Sequence, residues 1–441
     1  MEPFVNRKNE LQLIDVSFDA LLGKKRLLPT PIIEVQGVRG IGKTSLLRQV
    51  EQRCHDMQLP HIWVDVGQSP SNVTYEIISQ VKKYTQEDEV VLGQSPVHAT
   101  KILLKRGPVV MIFDSVDTAD EEQLGMIETL LRDLIGDEKL FVVLASKKAL
   151  SFQQERSVAR KLTTLSLRPL DRENCEFYLN HLGSPIEPEI RNLIFEWTRG
   201  YPLAMHVMAQ AINSGLDPRT QQGQKDILSL LTDQVINQNV LGKIKPQERV
   251  RYFSALQLFS VPRRFNLVIM QDLIETFTPE LKRESSLAYF SLPKEINEAT
   301  DVLNWSMLRA GFCVDDTVRN LFLLLLRVEH PQRYFAIHNF LADTNQRLAK
   351  EFLGSDRVRY IREYLYHTAS NTSSTNLPNL PNLLTQSIQM ILQEPPETFL
   401  QFLEEFLRDE ELKEALGDQL VNIQSMIDKH AEKINTDTLE G

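Results

Sequence analysis

Short apolar segments rich in β-branched residues alternate with longer segments of helical periodicity over the first 150 residues. The apolar segments are IIEVQG (32–37), HIWVDV (61–66), VVMIFD (109–114) and FVVLAS (141–146), with TTLSL (163–167) as a fifth candidate. Between them, stretches such as KTSLLRQVEQRC and EEQLGMIETLLRDLI place apolar residues three and four positions apart. Because strands that alternate with helices form a parallel sheet covered on both faces, we predict an α/β domain with five parallel strands.

Beyond Leu170 the strand pattern gives way to helical periodicity. Residues 203–240 form a helical stretch that a Gly/Pro/Gln-rich patch interrupts at 215–224. A new helix, QERVRYFSALQLF, ends near Pro262, and further helices with a short hairpin follow. The segment SNTSSTNLPNLPN (370–382) lacks an apolar pattern and predicts a linker or surface loop.

The composition is that of an ordinary globular protein, with 42% hydrophobic and 24% charged residues in 441. The apolar run LFLLLL (321–326) is far too short to span a membrane, and the N-terminal residues do not resemble a signal peptide. Cys54, Cys175 and Cys313 fit neither a disulfide framework nor a metal-binding spacing. We therefore expect a cytoplasmic protein with reduced cysteines and no membrane partner.

The acidic charge is concentrated at the C-terminal end of the chain. Residues 391–441 contain 13 acidic and 4 basic side chains, whereas residues 241–350 contain 12 acidic and 15 basic ones, within a total net charge of −10. A nucleic-acid partner is thus possible but not favoured, because this small basic excess neutralises few phosphates. The arginines that give the region its basic character are Arg249, Arg251, Arg263 and Arg264.

One segment indicates phosphate binding directly. GVRGIGKT (37–44) matches the P-loop pattern G-x-x-x-x-G-K-[ST] and lies between a predicted strand and a predicted helix, as that motif requires. Its glycines let backbone N–H groups approach phosphate oxygens, the lysine neutralises the β- and γ-phosphates, and the threonine offers its oxygen to Mg²⁺. The candidate nucleotide ligands are Gly37, Gly40, Gly42, Lys43, Thr44 and Ser45.

Two acidic residues and one lysine follow strands that end at the same edge of the sheet. Asp114 closes the strand VVMIFD and is the candidate partner of Thr44 in holding Mg²⁺, with helix capping as the alternative. Asp117 is the candidate that orients or deprotonates the attacking water, or else caps the next helix. Lys147, after VVLAS, is a candidate sensor of the γ-phosphate, or simply a solvated lysine.

These motifs together resemble the STAND class of signal-transduction ATPases, AAA+ relatives that include the NACHT and NB-ARC families. FVNRKNEL (4–11) is similar to the entry motif of the class, which implies that Val5 and Arg7 line the adenine and ribose. RGYPLA (199–204) resembles its Gly-x-Pro motif, which implies that Pro202 packs on adenine. AIHNFLAD (336–343) is similar to its Met-His-Asp motif, which implies that His338 contacts the β-phosphate of ADP.

The resemblance also implies an order of domains. They are a P-loop domain (1–168), a small all-α helical domain (169–240), a winged-helix domain (241–350) and C-terminal helices (351–441). DSVD (114–117) follows the NACHT and bacterial arrangement, in which a small residue succeeds the magnesium aspartate and a second acid comes two positions later. We accordingly expect slow hydrolysis, with Lys43, Asp117 and Lys147 as the catalytic side chains.

The resemblance further implies a switch that ADP keeps closed and ATP opens. Such proteins change their assembly with themselves or with a partner, and slow hydrolysis resets them. Because the P-loop domain begins near Phe4 and only residues 351–441 follow the winged helix, we expect output or sensing to involve a partner chain. Two other functions remain open: a transcriptional regulator that binds DNA through the winged helix, and a scaffold that binds nucleotide without hydrolysing it.

Overall fold

Five strands in the first part of the chain form a parallel sheet in the order β2-β3-β4-β1-β5. The computed structural model describes residues 7–23, 30–67, 73–85, 95–150, 152, 156–182, 186–371 and 380–439. They belong to two compact units, residues 1–242 and 243–441. The strands are β1 (Ile32–Gln36), β2 (His61–Asp65), β3 (Val109–Asp114), β4 (Leu140–Ser146) and β5 (Leu162–Ser166).

The burial of each strand follows from its sequence. Every residue of β3 and β4 is buried, as expected for continuous apolar runs in a sheet covered on both faces. The edge strand β5 is at most half-buried, and its sequence mixes threonine and serine with leucine. The helices around the sheet are α1 (Lys8–Leu21), α2 (Lys43–Asp56), α3 (Val73–Thr85), α4 (Pro96–Arg106), α5 (Glu121–Leu134) and α6 (Arg156–Lys161).

The predicted fold class is confirmed. All five strands form where the apolar segments predicted them, every pair within the sheet is parallel, and the P-loop joins β1 to α2. Since β1 lies between β4 and β5, the loop emerges from the interior of the sheet.

Helices complete the first unit after the sheet ends. Helix α8 stops where Arg199 and Gly200 adopt positive φ angles of 48° and 77°, and α9 restarts with proline at its first position. A π-helix, Leu231–Val240, continues directly from α10. The helices are α7 (Arg172–His181), α8 (Pro188–Thr198), α9 (Pro202–Asn213) and α10 (Gln221–Leu230).

Within its described residues, the second unit is helical apart from one hairpin. Strands β6 (Leu303–Ser306) and β7 (Gly311–Val314) pair antiparallel, and Phe265 bridges to Phe312 at the edge of β7. The hairpin was expected from the sequence, and it follows three helices. The helices are α11 (Pro246–Phe259), α12 (Leu267–Phe277), α13 (Leu292–Thr300), α14 (Asp316–Glu329), α15 (Pro331–Glu351), α16 (Gly354–Ser370), α17 (Leu380–Leu392), α18 (Pro396–Leu407), α19 (Glu410–Leu416) and α20 (Leu420–Leu439).

The length and polarity of the helices show whether any of them could span a membrane. Every helix within the described ranges is too short or too polar to cross a bilayer. Most of the predicted linker at 370–382 lies outside the described residues. The four-domain division remains a prediction. The chain passes from the first unit to the second between Gly242 and Lys243, close to the predicted boundary at 240/241.

Candidate functional site

The P-loop forms a tight turn that only glycine permits at its key positions. Gly37, Gly40 and Gly42 have φ angles of 151°, 78° and 103°, in a region that side chains other than glycine rarely occupy. A Cβ atom on Gly37 would lie 2.8 Å from Cγ2 of Ile41, and one on Gly40 would lie 2.6 Å from Cβ of Leu203. Glycine is therefore required at these positions both by the backbone angles and by the lack of space for a Cβ atom.

Helix α2 begins at Lys43, immediately after the turn. The first N–H groups of a helix have no partner within it, and the helix dipole makes this end positive. Thr44 is exposed there and Ser45 is half-buried beside it. A glycine turn that leads into a helix N-terminus is a binding site for anions such as phosphate.

The Lys43 side chain folds back across the loop. Its Nζ donates hydrogen bonds to the carbonyl oxygens of Gly37, at 2.7 Å, and Val38, at 3.2 Å. Burial lowers the pKa of Lys43 to about 8, against the opposing effect of the carboxylates of Asp117 and Asp114. The ammonium group is thus poorly solvated, and a phosphate would give it a stronger partner than two neutral carbonyls.

Thr44 and Asp114, the two residues predicted to hold Mg²⁺, are joined by a hydrogen bond. The Thr44 hydroxyl donates to Oδ2 of Asp114 at 2.8 Å, and the N–H of Ser115 donates to Oδ1 at 2.8 Å. Burial raises the pKa of Asp114, which is 4% exposed. A hydroxyl and a buried carboxylate are oxygen ligands of the kind that Mg²⁺ prefers, so this donor set fits the metal.

Asp117 and Lys147 lie next to each other beside this pair. The backbone N–H of Lys147 donates to Oδ1 of Asp117 at 3.1 Å, and the Lys147 Nζ lies 3.7 Å from Oδ2. That Oδ2 atom is buried and has no hydrogen-bond partner among the described residues. The pairing joins the two residues whose catalytic roles the sequence predicted, but their action on a phosphate remains a prediction.

Arg7 supports the phosphate loop from outside. Its guanidinium is buried and donates to the carbonyl oxygens of Ile41, at 2.8 Å, and Arg168, at 3.0 Å. Burial lowers its pKa, and the nearby carboxylate of Glu10 opposes this. The structure therefore shows Arg7 as a brace for the loop backbone, while its predicted contact with adenine or ribose remains a prediction. Val5 lies outside the described residues.

The start of α9 also packs against the loop. Pro202 is the first residue of α9, and the hydroxyl of the preceding Tyr201 donates to the carbonyl of Arg39 within the loop. Leu203 occupies the space beside Gly40. The contact of Pro202 with adenine is untested, but its helix touches the phosphate loop directly.

His338 belongs to the second unit. It is fully buried in α15, and its Nδ1 lies 3.0 Å from Nδ1 of His367 in α16. Burial, reinforced by the positive charge of Arg319, lowers the pKa of His338 to about 3. The predicted contact with the β-phosphate of ADP remains a prediction.

Two residues near the site were missed by the sequence reasoning. Asp65 ends β2 directly opposite Asp114 in the sheet register and accepts a hydrogen bond from the N–H of Gly67. Glu34 is fully buried in β1 and accepts hydrogen bonds from the Ser146 hydroxyl, at 2.8 Å, and the Leu150 N–H, at 2.7 Å. A carboxylate inside an apolar strand was the available signal for Glu34.

No family model matches the chain, and neither does any curated protein. Among solved structures, the chain is similar to a STAND protein with a tetratricopeptide repeat sensor from Pyrococcus horikoshii, at 16% identity and a TM-score of 0.37. This likeness covers 99% of the chain but 58% of the archaeal protein. The Orc1 protein of Aeropyrum pernix, solved with DNA, has 15% identity and a TM-score of 0.38, over 75% of this chain and 94% of that one.

AMPPCP-bound DnaA from Aquifex aeolicus has 17% identity and a TM-score of 0.37, with 67% of this chain and 90% of that one covered. The chain spans little more than half of the STAND protein's length.

Proposed function

We propose that the chain binds an adenine nucleotide with Mg²⁺ and hydrolyses ATP slowly as a conformational switch. The observation that supports this most is the arrangement at one edge of the sheet. A left-handed glycine turn, the buried ammonium of Lys43 and the 2.8 Å Thr44–Asp114 pair lie together at the start of α2. A glycine turn that only led into a helix would need neither the lysine nor the carboxylate.

Each side chain has a role in binding the triphosphate. Backbone N–H groups of residues 37–44 donate to the phosphate oxygens, and Lys43 turns from the loop carbonyls to the β- and γ-phosphates. Thr44 and Asp114 would hold the metal. Mg²⁺, when bound, neutralises charge on the phosphates as the reaction proceeds.

Hydrolysis requires a group that orients the attacking water. Asp117 is suited to this because Oδ1 is fixed by the N–H of Lys147, whereas Oδ2 is left to accept a hydrogen bond. Lys147 is placed to donate to the γ-phosphate, and the 3.7 Å ion pair with Asp117 keeps it at the site. We expect slow turnover, since Lys147 donates with a single flexible ammonium where an arginine would offer a bidentate pair.

The switch needs a part of the protein that senses which nucleotide is bound. Tyr201 and Leu203 connect the start of α9 to the loop. A shift of the loop when nucleotide binds would therefore move that helix. We propose that Pro202 contacts the base and that His338 contributes to the ADP-bound state. We also propose that residues 241–350 form a winged-helix domain, which the order of three helices and a hairpin supports.

One observation weighs against DNA binding through that domain. Arg263 is 5% exposed, and its guanidinium forms ion pairs with Glu363 at 2.9 Å and with Asp409 at 2.7 Å. Arg264 donates to the carbonyl oxygens of Arg309 and Ala310. Two of the four arginines that gave the region its basic character are therefore engaged within the protein.

Nucleotide binding is tested by calorimetry on purified protein freed of bound nucleotide. We expect ATP and ADP to bind with Mg²⁺ present, and Lys43→Ala to remove the binding. Lys148→Ala is the matched control, because Lys148 follows the sensor lysine but no contact with the loop is proposed for it. Undiminished binding in Lys43→Ala would refute the proposed site.

Hydrolysis is tested separately by single-turnover measurements with Asp117→Asn. We expect ATP to bind this variant and the rate of γ-phosphate release to fall by about 10²–10⁴-fold, the usual range for a general base. Equal rates in the variant and the wild type would exclude Asp117 from catalysis. If the wild-type protein also fails to hydrolyse, the non-hydrolysing scaffold becomes the better description.

A further inference from the structure

Three potential metal ligands converge at the end of α2 that is remote from the phosphate loop. Glu51 and His55 are one turn apart on the helix, and His61 is the first residue of β2. One ligand atom of each side chain lies within 4.8 Å of the other two. The rings of His55 and His61 are 4.6 Å apart, nearly perpendicular at 80°.

The backbone holds these three residues in place. Cys54 on α2 and Ile62 on β2 are both fully buried, so the helix end and the strand start are fixed in the core. Only residues 57–60 connect the two elements. Ligands around tetrahedral Zn²⁺ at 2.0–2.1 Å are separated by roughly 3.4 Å, so the side chains need only a small rotation to close on an ion.

The imidazole of His61 is oriented as in known metal sites. Its Nδ1 lies 3.4 Å from the carbonyl oxygen of Leu59 and 3.3 Å from the hydroxyl of Tyr84, while its Nε2 lies 3.9 Å from Oε1 of Glu51. With the proton on Nδ1, the lone pair of Nε2 is the one available to a metal, on the side of Oε1 of Glu51. A metal-binding histidine commonly donates its second N–H to a backbone carbonyl in this way.

The charges around the cluster are compatible with a cation. Glu51 accepts a hydrogen bond from Arg48 at 2.7 Å through Oε2, which leaves Oε1 on the side of His61. Arg48 itself stacks on the ring of Trp63, 4.0 Å from its centroid.

The geometry points to a site for a divalent transition ion of the Zn²⁺ type, bound by Glu51, His55 and His61. Two imidazoles and a carboxylate leave one tetrahedral position for water and favour Zn²⁺ over Mg²⁺. The site is separate from the predicted nucleotide magnesium, since Glu51 is about 12 Å along α2 from Lys43. A bound ion would tie the end of the phosphate-binding helix to the start of β2.

Titration of the metal-free full-length protein with Zn²⁺ and Co²⁺ tests the site. We expect one high-affinity ion per chain, and Co²⁺ should give the intense visible absorption of tetrahedral coordination by nitrogen and oxygen. A near-ultraviolet thiolate band would instead place the ion on a cysteine and overturn the assignment. Substituting a ligand should weaken binding by more than about tenfold, the smallest loss usual even for outer-shell partners.

The first variant is His55→Ala, because His55 is exposed and its loss leaves the core unchanged. Glu51→Gln is the second, since it keeps the size of the side chain while removing the negative charge. The exposed His98→Ala, on α4, is the matched control and should bind like the wild type. Equal Zn²⁺ affinity in the wild type and His55→Ala, or binding in the wild type no tighter than millimolar, would overturn the proposal.

Discussion

At the residue scale, the environment of Lys43 links the ionisation of one ammonium group to nucleotide binding. Burial lowers its pKa to about 8, and the carboxylates of Asp117 and Asp114 prevent a larger fall. A triphosphate would add negative charge next to the amine and raise the pKa again. The free and bound proteins then hold different numbers of protons on Lys43 above pH 8.

We therefore predict that nucleotide affinity changes little up to about pH 7, falls about twofold by pH 8 and falls more steeply as the pH rises further. Below the pKa of the free protein, Lys43 is protonated in both states and binding moves no proton. Above it, binding must take up a proton, and the affinity falls by up to about tenfold per pH unit. Calorimetry in two buffers with different ionisation enthalpies would detect this proton uptake directly.

Lys43→Arg serves as the control because arginine remains charged throughout this pH range. Its affinity should be lower, since the larger guanidinium fits the loop less well, but nearly independent of pH up to 9.5. A wild-type affinity that also stays constant up to that pH would show that another group determines the electrostatics of the loop.

Single residues differ in how much their local sequence predicts. Lys43 and Thr44 follow from the loop pattern, and Asp114 from the apolar run before it, since each depends on neighbours in sequence. Glu34 could not be predicted in the same way, because its partners Ser146 and Leu150 are 112 and 116 positions away. By accepting from both, Glu34 anchors the segment that contains Lys147, a function visible only in the folded sheet.

At the element scale, the contact between α9 and the phosphate loop is the feature with functional consequences. Leu203 lies so close to Gly40 that a Cβ atom there would be 2.6 Å from the leucine Cβ. The hydroxyl of Tyr201 also holds the carbonyl of Arg39. The position of this helix and the conformation of the loop are therefore coupled.

We predict that Gly40→Ala reduces nucleotide affinity through two separable effects. One is the backbone strain of about 1–2 kcal/mol that a left-handed φ of 78° imposes on alanine. The other is the clash with the side chain of Leu203, which Leu203→Gly removes because it takes away the Cβ as well as the outer atoms. The double variant should therefore bind nucleotide more tightly than Gly40→Ala alone. Calorimetry on the wild type, the two single variants and the double variant measures this coupling.

Leu203→Gly alone shows whether the leucine contributes directly to binding. If the effects of the two substitutions simply add, the helix and the loop are not coupled through this contact. In that case the proposal that α9 senses the bound nucleotide would lose its structural basis.

The elements themselves were largely predictable, because their periodicity is local. Strands β3 and β4 are continuous apolar runs, and their observed bounds differ from the predicted segments by at most one residue. The π-helix at Leu231–Val240 was predicted only as helix, since a wider hydrogen-bond pattern leaves no clear mark on the apolar spacing.

At the scale of the whole molecule, the second unit contains charged groups deep in its interior. Arg263 pairs with Glu363 and Asp409, and Arg319 pairs with Glu411. The partners are between 92 and 146 positions apart in the chain, so no local pattern indicates them. His338, which resemblance alone had singled out, lies in the same interior beside His367.

The two histidines make the second unit sensitive to acid. Burial, then the charge of Arg319, lowers the pKa of His338 to about 3, and burial, then His338, lowers that of His367. Both are uncharged in the folded unit, whereas in the unfolded chain they take up protons near pH 6.5. Below that pH the unfolded state binds more protons, so the free energy of unfolding decreases as the solution is acidified.

We predict that the second unit loses stability between pH 6.5 and 4.5, by at most about 1.4 kcal/mol per pH unit for each histidine. Hydrogen exchange of the full-length protein, corrected for intrinsic rates, should show α15 and α16 losing protection over this range. His367→Gln should have a shallower dependence because it removes one of the two protonations, whatever its stability at pH 7. The control is His330→Gln, at an exposed position, and it should match the wild type. If His367→Gln loses stability with falling pH as steeply as the wild type does, the buried histidine pair is not the cause of the acid sensitivity.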